Sequence, residues 1–409
     1  MSPPVTTEPD VLTVFSSAEF RADPVPTLHW LLDEQPVHRT RKGFYLISRY
    51  SDVDQLSGHD LVHRPDRARL SEQFPAAQRH RSMRVLLDSM VMANPPEHTR
   101  LRRLIGRAFT PHRVDGLRAR IGAITDEVLA QIAEPLLDGE SVDLHHCWAE
   151  PVTLQVLSEL LGVPESDRRW LAATVLHISD GIASADEQRM VLADEQTELL
   201  DVYFRDLAAR KRRQPADDLI SALVGTPDEP APGDLFGVLW LLWLAGFESS
   251  ASMMDHGALA LFDHPDQASR LDGDHQAGLA FADEVLRHSV VELFTPIPRI
   301  AARDLVLSGV DIPAGADLRP MIAAANRDPR MFPDPDRFDP ARGNAVAGFA
   351  FGQGLHRCVG AFLARAELAI GLARLRRRFP TLGAAGELAL VDDIVSTRMT
   401  RAFPVALSQ

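Results

Sequence analysis

Phe351-Gly352-Gln353-Gly354-Leu355-His356-Arg357-Cys358-Val359-Gly360 decides how the rest of the chain is read. This stretch holds one of the two cysteines in the sequence and brackets it with Gly352, Gly354 and Gly360. A helical run over residues 361–370 follows directly. A cysteine attacks or ligates as the thiolate, which persists near neutral pH with help from backbone N–H groups, a helix N-terminus, cations or a metal. Glycine lets backbone approach closely, the following helix directs its positive end at the sulfur, and His356 and Arg357 are adjacent. Taken alone, the segment reads as a buried structural thiol in a glycine-rich turn, a common state of free cysteine. Its company in the chain reverses that reading.

The 409 residues suit one large unit or as many as three domains. With 45% hydrophobic and 24% charged residues, the composition is that of a soluble globular protein. A net charge of −14 argues against a nucleic-acid partner, which asks for a basic face. Two cysteines, Cys147 and Cys358, cannot build a disulfide framework, so a reducing, cytoplasmic setting is expected. The first ten residues lack the apolar core of a signal peptide. The longest apolar run, 235–247, is about half of the ~20 residues a membrane span needs and reads as a buried core helix.

Residues 1–22 read as a loose N-terminal arm and 23–409 as one domain without an internal linker. Apolar spacing predicts helices at 24–35, 114–137, 152–161, 167–184, 185–213, 235–261 and 281–288. A strand is expected at 43–48, and two more, 299–307 and 310–318, around Gly309. The Arg-rich segment 62–94 has no clear period and reads as a long connection, either a functional lid or a surface loop. Residues 326–342, with four prolines, read as irregular coil. The fold class is mainly α with small β-sheets.

The cysteine segment fits Phe-Gly-x-Gly-x-His-x-Cys-x-Gly and resembles the haem-ligand loop of the cytochrome P-450 (haem-thiolate) family. The resemblance implies that Cys358 is the proximal iron ligand, that Phe351 shields its sulfur and that Gly360 allows close helix approach. Thiolate ligation pushes electron density onto the iron and favours O–O cleavage. Three other stretches resemble the same family in the same order. Glu284-Val285-Leu286-Arg287 places Glu284 and Arg287 on one helix face, where they can pair. The resemblance adds Arg337 as third member of a structural ion network. Leu244-Ala245-Gly246-Phe247-Glu248-Ser249-Ser250 resembles the oxygen groove of the long central helix. A helix-interior glycine costs ~1 kcal/mol relative to alanine, so packing alone does not call for Gly246. The small pair Ala245 and Gly246 would admit O₂, and Glu248 with Ser249 would relay protons. Ser249 stands where threonine is usual and lacks its χ1-stiffening branch. Finally, His98-Thr99-Arg100-Leu101-Arg102 resembles the propionate clamp of bacterial members. His98 and Arg102, one turn apart, would be completed by Arg299 and His356 through charge-assisted bonds.

The resemblance runs from about Asp23 to Leu407. It implies a soluble bacterial protein shaped as a triangular prism, with haem b between the central helix and the cysteine loop. The implied reaction is monooxygenation: O₂ activated with two external electrons to hydroxylate or otherwise oxidise a small molecule, in secondary metabolism. Oxidative coupling or desaturation without oxygen insertion is the second reading, and a non-enzymatic haem sensor the third. With no second cofactor domain in the sequence, a ferredoxin or flavodoxin and its reductase would supply the electrons. Their dock would lie near Arg103, Arg107, Arg113 and Arg357, with Arg374, Arg376, Arg377 and Arg378 as a further cluster, since local basic charge suits an acidic partner. No membrane association is expected, and a monomer is. Substrate-pocket walls are expected from 62–94, 167–195, 241–245, 294–297 and 395–397, with Leu241, Leu244, Phe247, Phe294 and Val395 as contacts. Phe247 and Phe294 at the pocket lip, and Trp240 and Trp243 on the helix, point to an aromatic or polycyclic substrate.

Overall fold

Helices carry most of the chain in this computed structural model, which describes residues 10–408 apart from 59, 107–108, 185, 227–228 and 393. The long ones are Pro111–Gln131, Glu150–Leu161, Glu165–Ala183, Glu187–Arg213, Pro232–Gly246, Glu248–Asp263, His275–His288 and Ala361–Arg378. Their apolar faces meet in one large core around Trp148, Leu239, Trp243 and Leu372. Glu150–Leu161 ends where Gly162 turns left-handed at φ +86°; a side chain there would run into Asp218. Asp186 caps Glu187–Arg213 by accepting from the N–H groups of Gln188 and Arg189 at 2.9 and 3.0 Å.

A second core lies under a five-stranded sheet. Its strands run Val37–Arg39, Tyr45–Ile47, Asp317–Pro320, Arg299–Ala301 and Val62–His63 across the sheet. Tyr45–Ile47 pairs parallel to Asp317–Pro320, and the other neighbours are antiparallel. Leu305–Leu307 and Val310–Ile312 form a hairpin whose two turn residues, Ser308 and Gly309, both have positive φ. That backbone suits the strand twist of a two-residue turn. Strands Val142–Asp143 and Leu382–Ala384 flank Pro404–Leu407 in a three-stranded sheet.

Two sequence expectations are corrected here. Residues 11–22 are not a loose arm: Val11–Phe15 and Ala18–Ala22 are helices that bury Val11, Leu12, Phe15 and Phe20 in the second core. Phe15 packs 6.0 Å from Phe294. Burying an apolar side chain of this size contributes ~1.5–3 kcal/mol, enough to hold a short amphipathic segment down. Nor is 62–94 structureless. It contains a strand at Val62–His63, helices Arg67–Gln73 and Arg81–Leu87, and a 3₁₀ turn between them. Polar contacts rather than apolar period tie it to Glu187–Arg213. His80 Nδ1 lies 2.9 Å from Asp194, and Ser82 N–H and Oγ donate to the same carboxylate at 2.8 and 2.7 Å.

The stretch Pro232–Asp263 is long and apolar enough to cross a bilayer. Here it is a core element, since Leu239, Trp243, Ala251 and Ala258 are buried against its neighbours.

Candidate active site

The cysteine loop is built by its glycines. Gly352 and Gly354 sit at φ +61° and +67°, the region that favours glycine. At Gly354 a side chain would also collide with the backbone carbonyl of Ser57. Gly354→Ala is therefore expected to cost about 1–3 kcal/mol, read as a fall in the denaturation midpoint. An unchanged midpoint would contradict this account of the loop. Cys358 N–H closes the loop on the carbonyl of Phe351 at 2.8 Å. Gly360 is not crowded by a helix, contrary to expectation. Among the described residues beyond its chain neighbours, the atom nearest to where its Cβ would be is Cys358 Sγ, at 3.9 Å. Phe351 is half-buried beside the helical core.

Cys358 touches water and yet is enclosed by protein on most sides. Both hold for a residue on the floor of a cleft. Burial pushes its thiol up, while the Gly360 N–H, Arg102 and Arg357 pull it back and Glu292 pushes it further. Free protein thus holds a neutral thiol, and a bound metal would strip its proton.

Around this floor stand three arginines, Arg64 buried and Arg102 and Arg299 half-buried, with Glu292 acting on two of them. Arg64 is pushed down to about 9 by burial and then by Arg299, against the pull of Glu292. Burial lowers Arg102 and Arg299 as well. His356 falls to about 2 through burial and the neighbouring Arg64, His98, Arg299 and Arg102, so its ring is neutral and offers a hydrogen bond rather than a charge. His98 is fully buried, its ring 4.4 Å from that of His356, and neither of its ring nitrogens has a hydrogen-bond partner among the described residues. Arg64 Nε is likewise without one. Each orphaned buried donor costs ~1–3 kcal/mol, so the arrangement calls for an anion. A cofactor carrying two carboxylates fits this set. The expected members His98, Arg102, Arg299 and His356 are together here. Arg64 and Glu292 belong to the set too, and the sequence reading missed both. Arg64 sits in the aperiodic 62–94 segment, and nothing in the local pattern singles out Glu292.

The central helix, expected as one run over 235–261, is interrupted inside the groove segment. Pro232–Gly246 and Glu248–Asp263 meet at Phe247 (φ −108°), and the ladder resumes with Ala251 N–H to Phe247 O at 2.8 Å. Ser249 Oγ donates to Ala245 O at 2.9 Å, using the carbonyl at the break. Ala245 and Ser249 are exposed in a helix otherwise packed into the core. Gly246 faces elsewhere: its Cβ would sit 3.0 Å from Leu157, so its smallness serves helix packing. Glu248 is enclosed, with Ser179 Oγ 3.3 Å from its carboxylate. Burial, helped by Glu150 and opposed by Ser179 and His145, pushes it up to about 7. A carboxyl poised there can give and take a proton near neutral pH.

Glu284 and Arg287 are fully buried and paired bidentately, at 2.7 and 2.8 Å. Arg287 Nη1 also donates to the carbonyls of Asn326 and Pro335 at 2.9 and 2.8 Å. The third side chain is Arg342, not Arg337: Arg342 Nε lies 3.3 Å from Glu284, whereas Arg337 is exposed and offers only its carbonyl. A spacing argument cannot separate two arginines on one irregular segment.

The pocket expectations fare less well. Phe247 and Phe294 are core residues, 1% and 3% exposed, and so are Trp240 and Trp243. Leu241 and Leu244 are half-buried against the helical core. Val395 lines a small crevice with Phe15, Phe20 and Leu293. A cavity of about 320 Å³ lies along the cysteine loop between Asp283, Phe351, Gln353, Arg357 and Arg365. Neither Ala245 nor Ser249 lines it, so it is not the space above the helix break. In the expected docking region Arg103 and Arg357 are exposed. Arg113, Arg374 and Arg376 are neutralised by Asp217, Asp126 and Asp272. Arg377 and Arg378 are exposed, and Arg107 lies outside the described residues.

A cysteine at the floor of a cleft edged by arginines could hold a dianionic cofactor whose iron takes a thiolate ligand. A profile for the family Cytochrome P450 matches residues 279–383. Cytochrome P450 BJ-3 of Bradyrhizobium diazoefficiens is 41% identical over 382 residues, covering 89% of both chains. Vitamin D(3) 25-hydroxylase of Pseudonocardia autotrophica is 36% identical over 94% of this chain and 92% of its own length. The crystal structure of CalO2 superposes with a TM-score of 0.86 at 26% identity, over 96% of this chain and 98% of that one. The chain belongs to the cytochrome P450 family and has its fold. It is a monooxygenase, an oxidoreductase that uses haem b and draws electrons from a redox partner.

Proposed function

We propose that this monooxygenase hydroxylates an apolar, polycyclic small molecule of secondary metabolism in the cytoplasm, as a monomer served by a ferredoxin or flavodoxin and its reductase. The observation that carries the oxygenase reading is the enclosed Glu248, poised near neutral pH beside the exposed Ser249 hydroxyl. The polycyclic reading is supported by the vitamin D(3) hydroxylase among the relatives and by half-buried Leu241 and Leu244 on the helix that runs into the pair.

In this reading Cys358 holds the iron, and His98, Arg102, Arg299 and His356, with Arg64, hold the carboxylates. When bound, haem b supplies oxygen activation. The chain's own part is proton handling and exclusion of bulk water. Glu248 holds a proton in reserve, and Ser249 Oγ passes it on at the helix break. Exposed Arg103 and Arg357 face an acidic electron donor, whose approach they steer.

Ser249→Ala is expected to raise hydrogen peroxide released per O₂ consumed several-fold, because proton delivery would no longer keep pace with electron delivery. Unchanged peroxide release would remove Ser249 from the relay. Oxidative coupling without oxygen insertion is the second reading. It is favoured by Ser249, whose single hydroxyl proton is engaged by Ala245 O. A ligand screen by Soret shift tests the substrate class: polycyclic apolar compounds should shift the band, and a response confined to small polar compounds would overturn it.

A further inference from the structure

Glu248 is enclosed, so each proton it gives up must be replaced from outside. Ser179 has no charge to supply. The charged or titratable groups that face Glu248 are Glu150 and His145. These lie on the start of Glu150–Leu161 and on the π-turn His145–Ala149 that leads into it.

Two contacts fix how this segment lies along the central helix. His145 Nδ1 meets Asp255 at 2.5 Å, and Leu157 abuts Gly246. The two elements therefore run antiparallel. Interpolating between those contacts sets Glu150 opposite roughly residue 251, offset by about one helical turn (~5 Å along the axis) from the level of Glu248, on the neighbouring element whose charge acts on that carboxyl. Glu248 and Asp255, seven residues apart, share the helix face turned toward this segment.

Glu150 also reaches outward. Its Oε2 lies 2.8 Å from Nδ1 of His146, whose side chain is 56% exposed. Its Oε1 lies 3.5 Å from Nε2 of buried His145. Asp143 is the other carboxylate near His146, at 3.9 Å. Asp255, with Thr400 against it, completes the surroundings of His145. Burial alone would lower His145, but Asp255 and Glu150 raise it to about 10. It stays protonated through the neutral range and anchors Glu150 rather than shuttling. His146, on the surface, is the member free to exchange with solvent.

We propose that His146 and Glu150 form the proton entry to Glu248. A proton from solvent passes from the His146 ring to the Glu150 carboxylate and on to Glu248, while His145, clamped by Asp255, positions Glu150. One proton enters for each that Glu248 releases. This rests on the reading of Glu248 as proton donor.

The test is an infrared pH jump on the haem-loaded protein. Wild type should show a protonated-carboxyl band that Glu248→Gln removes and that reappears after a jump downward across pH 7. In Glu150→Gln the band should recover roughly tenfold more slowly, a smaller effect than the ~10²-fold cost of losing a direct proton donor. Glu150→Asp, which keeps a titratable carboxyl, should recover near the wild-type rate. His146→Gln should slow recovery in the same direction. Wild-type recovery in Glu150→Gln would overturn the entry path. Slow recovery that Glu150→Asp does not restore would also overturn it, by assigning Glu150 a packing role. The reading of Glu248 fails separately, if Glu248→Gln consumes O₂ with wild-type peroxide release.

Discussion

Cys358→Ser is expected to abolish the red-shifted Soret band that thiolate ligation gives the reduced, CO-bound protein, and to abolish turnover with it. The loop should survive the change. Cys358 contributes its backbone N–H to Phe351 O, and serine keeps that bond. The lost property is electronic: a serine hydroxyl near neutral pH does not become the charged, soft donor that stabilises the iron. Far-ultraviolet dichroism should stay at wild type, separating loss of ligation from loss of fold. A variant that kept the red-shifted band would place the iron on another donor.

Arg287→Leu is the second large effect. It removes a fully buried cation and leaves Glu284 buried without its bidentate partner. Breaking a buried pair from one side costs about 3–5 kcal/mol. It also strips the carbonyls of Asn326 and Pro335 of their donor. The damage should travel. Asn326 Oδ1 accepts from Phe349 N–H at 2.7 Å, two residues before Phe351 opens the cysteine loop. Lower stability should therefore come with poorer haem retention. Arg330→Ala is the control: its guanidinium is half exposed, and its buried partner Asp328 keeps the Tyr50 N–H, so a smaller loss is expected. Denaturation midpoints and haem content of purified protein measure both. An Arg287→Leu protein as stable as the Arg330→Ala control would contradict the role given to the network.

Much of the site was legible because its residues are locally encoded. Cys358 sits in a loop that needs glycine at two positive φ positions, and such needs leave marks in sequence. The break at Phe247 was visible as polar residues inside an apolar helix. Glu284 and Arg287 are one turn apart and could be paired on spacing alone. What failed was long-range. Whether Phe247 and Phe294 face a pocket or a core depends on elements distant in sequence, since Phe294 is covered by the first helix and by Phe44. The terminal segment looked free because what it packs against is sequence-distant. Residues 62–94 looked irregular because hydrogen bonds to Asp194 and an ion pair to Asp201 hold them. Arg64 and Glu292 reach this set through tertiary structure that no periodicity announces.

The central claim is that a proton-supplied, thiolate-ligated site inserts oxygen into a bound small molecule. The most direct measurement is the product mass from turnover under ¹⁸O₂, using a compound that shifts the Soret band. The account predicts a product heavier by one labelled oxygen atom. A product that has lost hydrogen or joined to a second molecule, and carries no label, would contradict it.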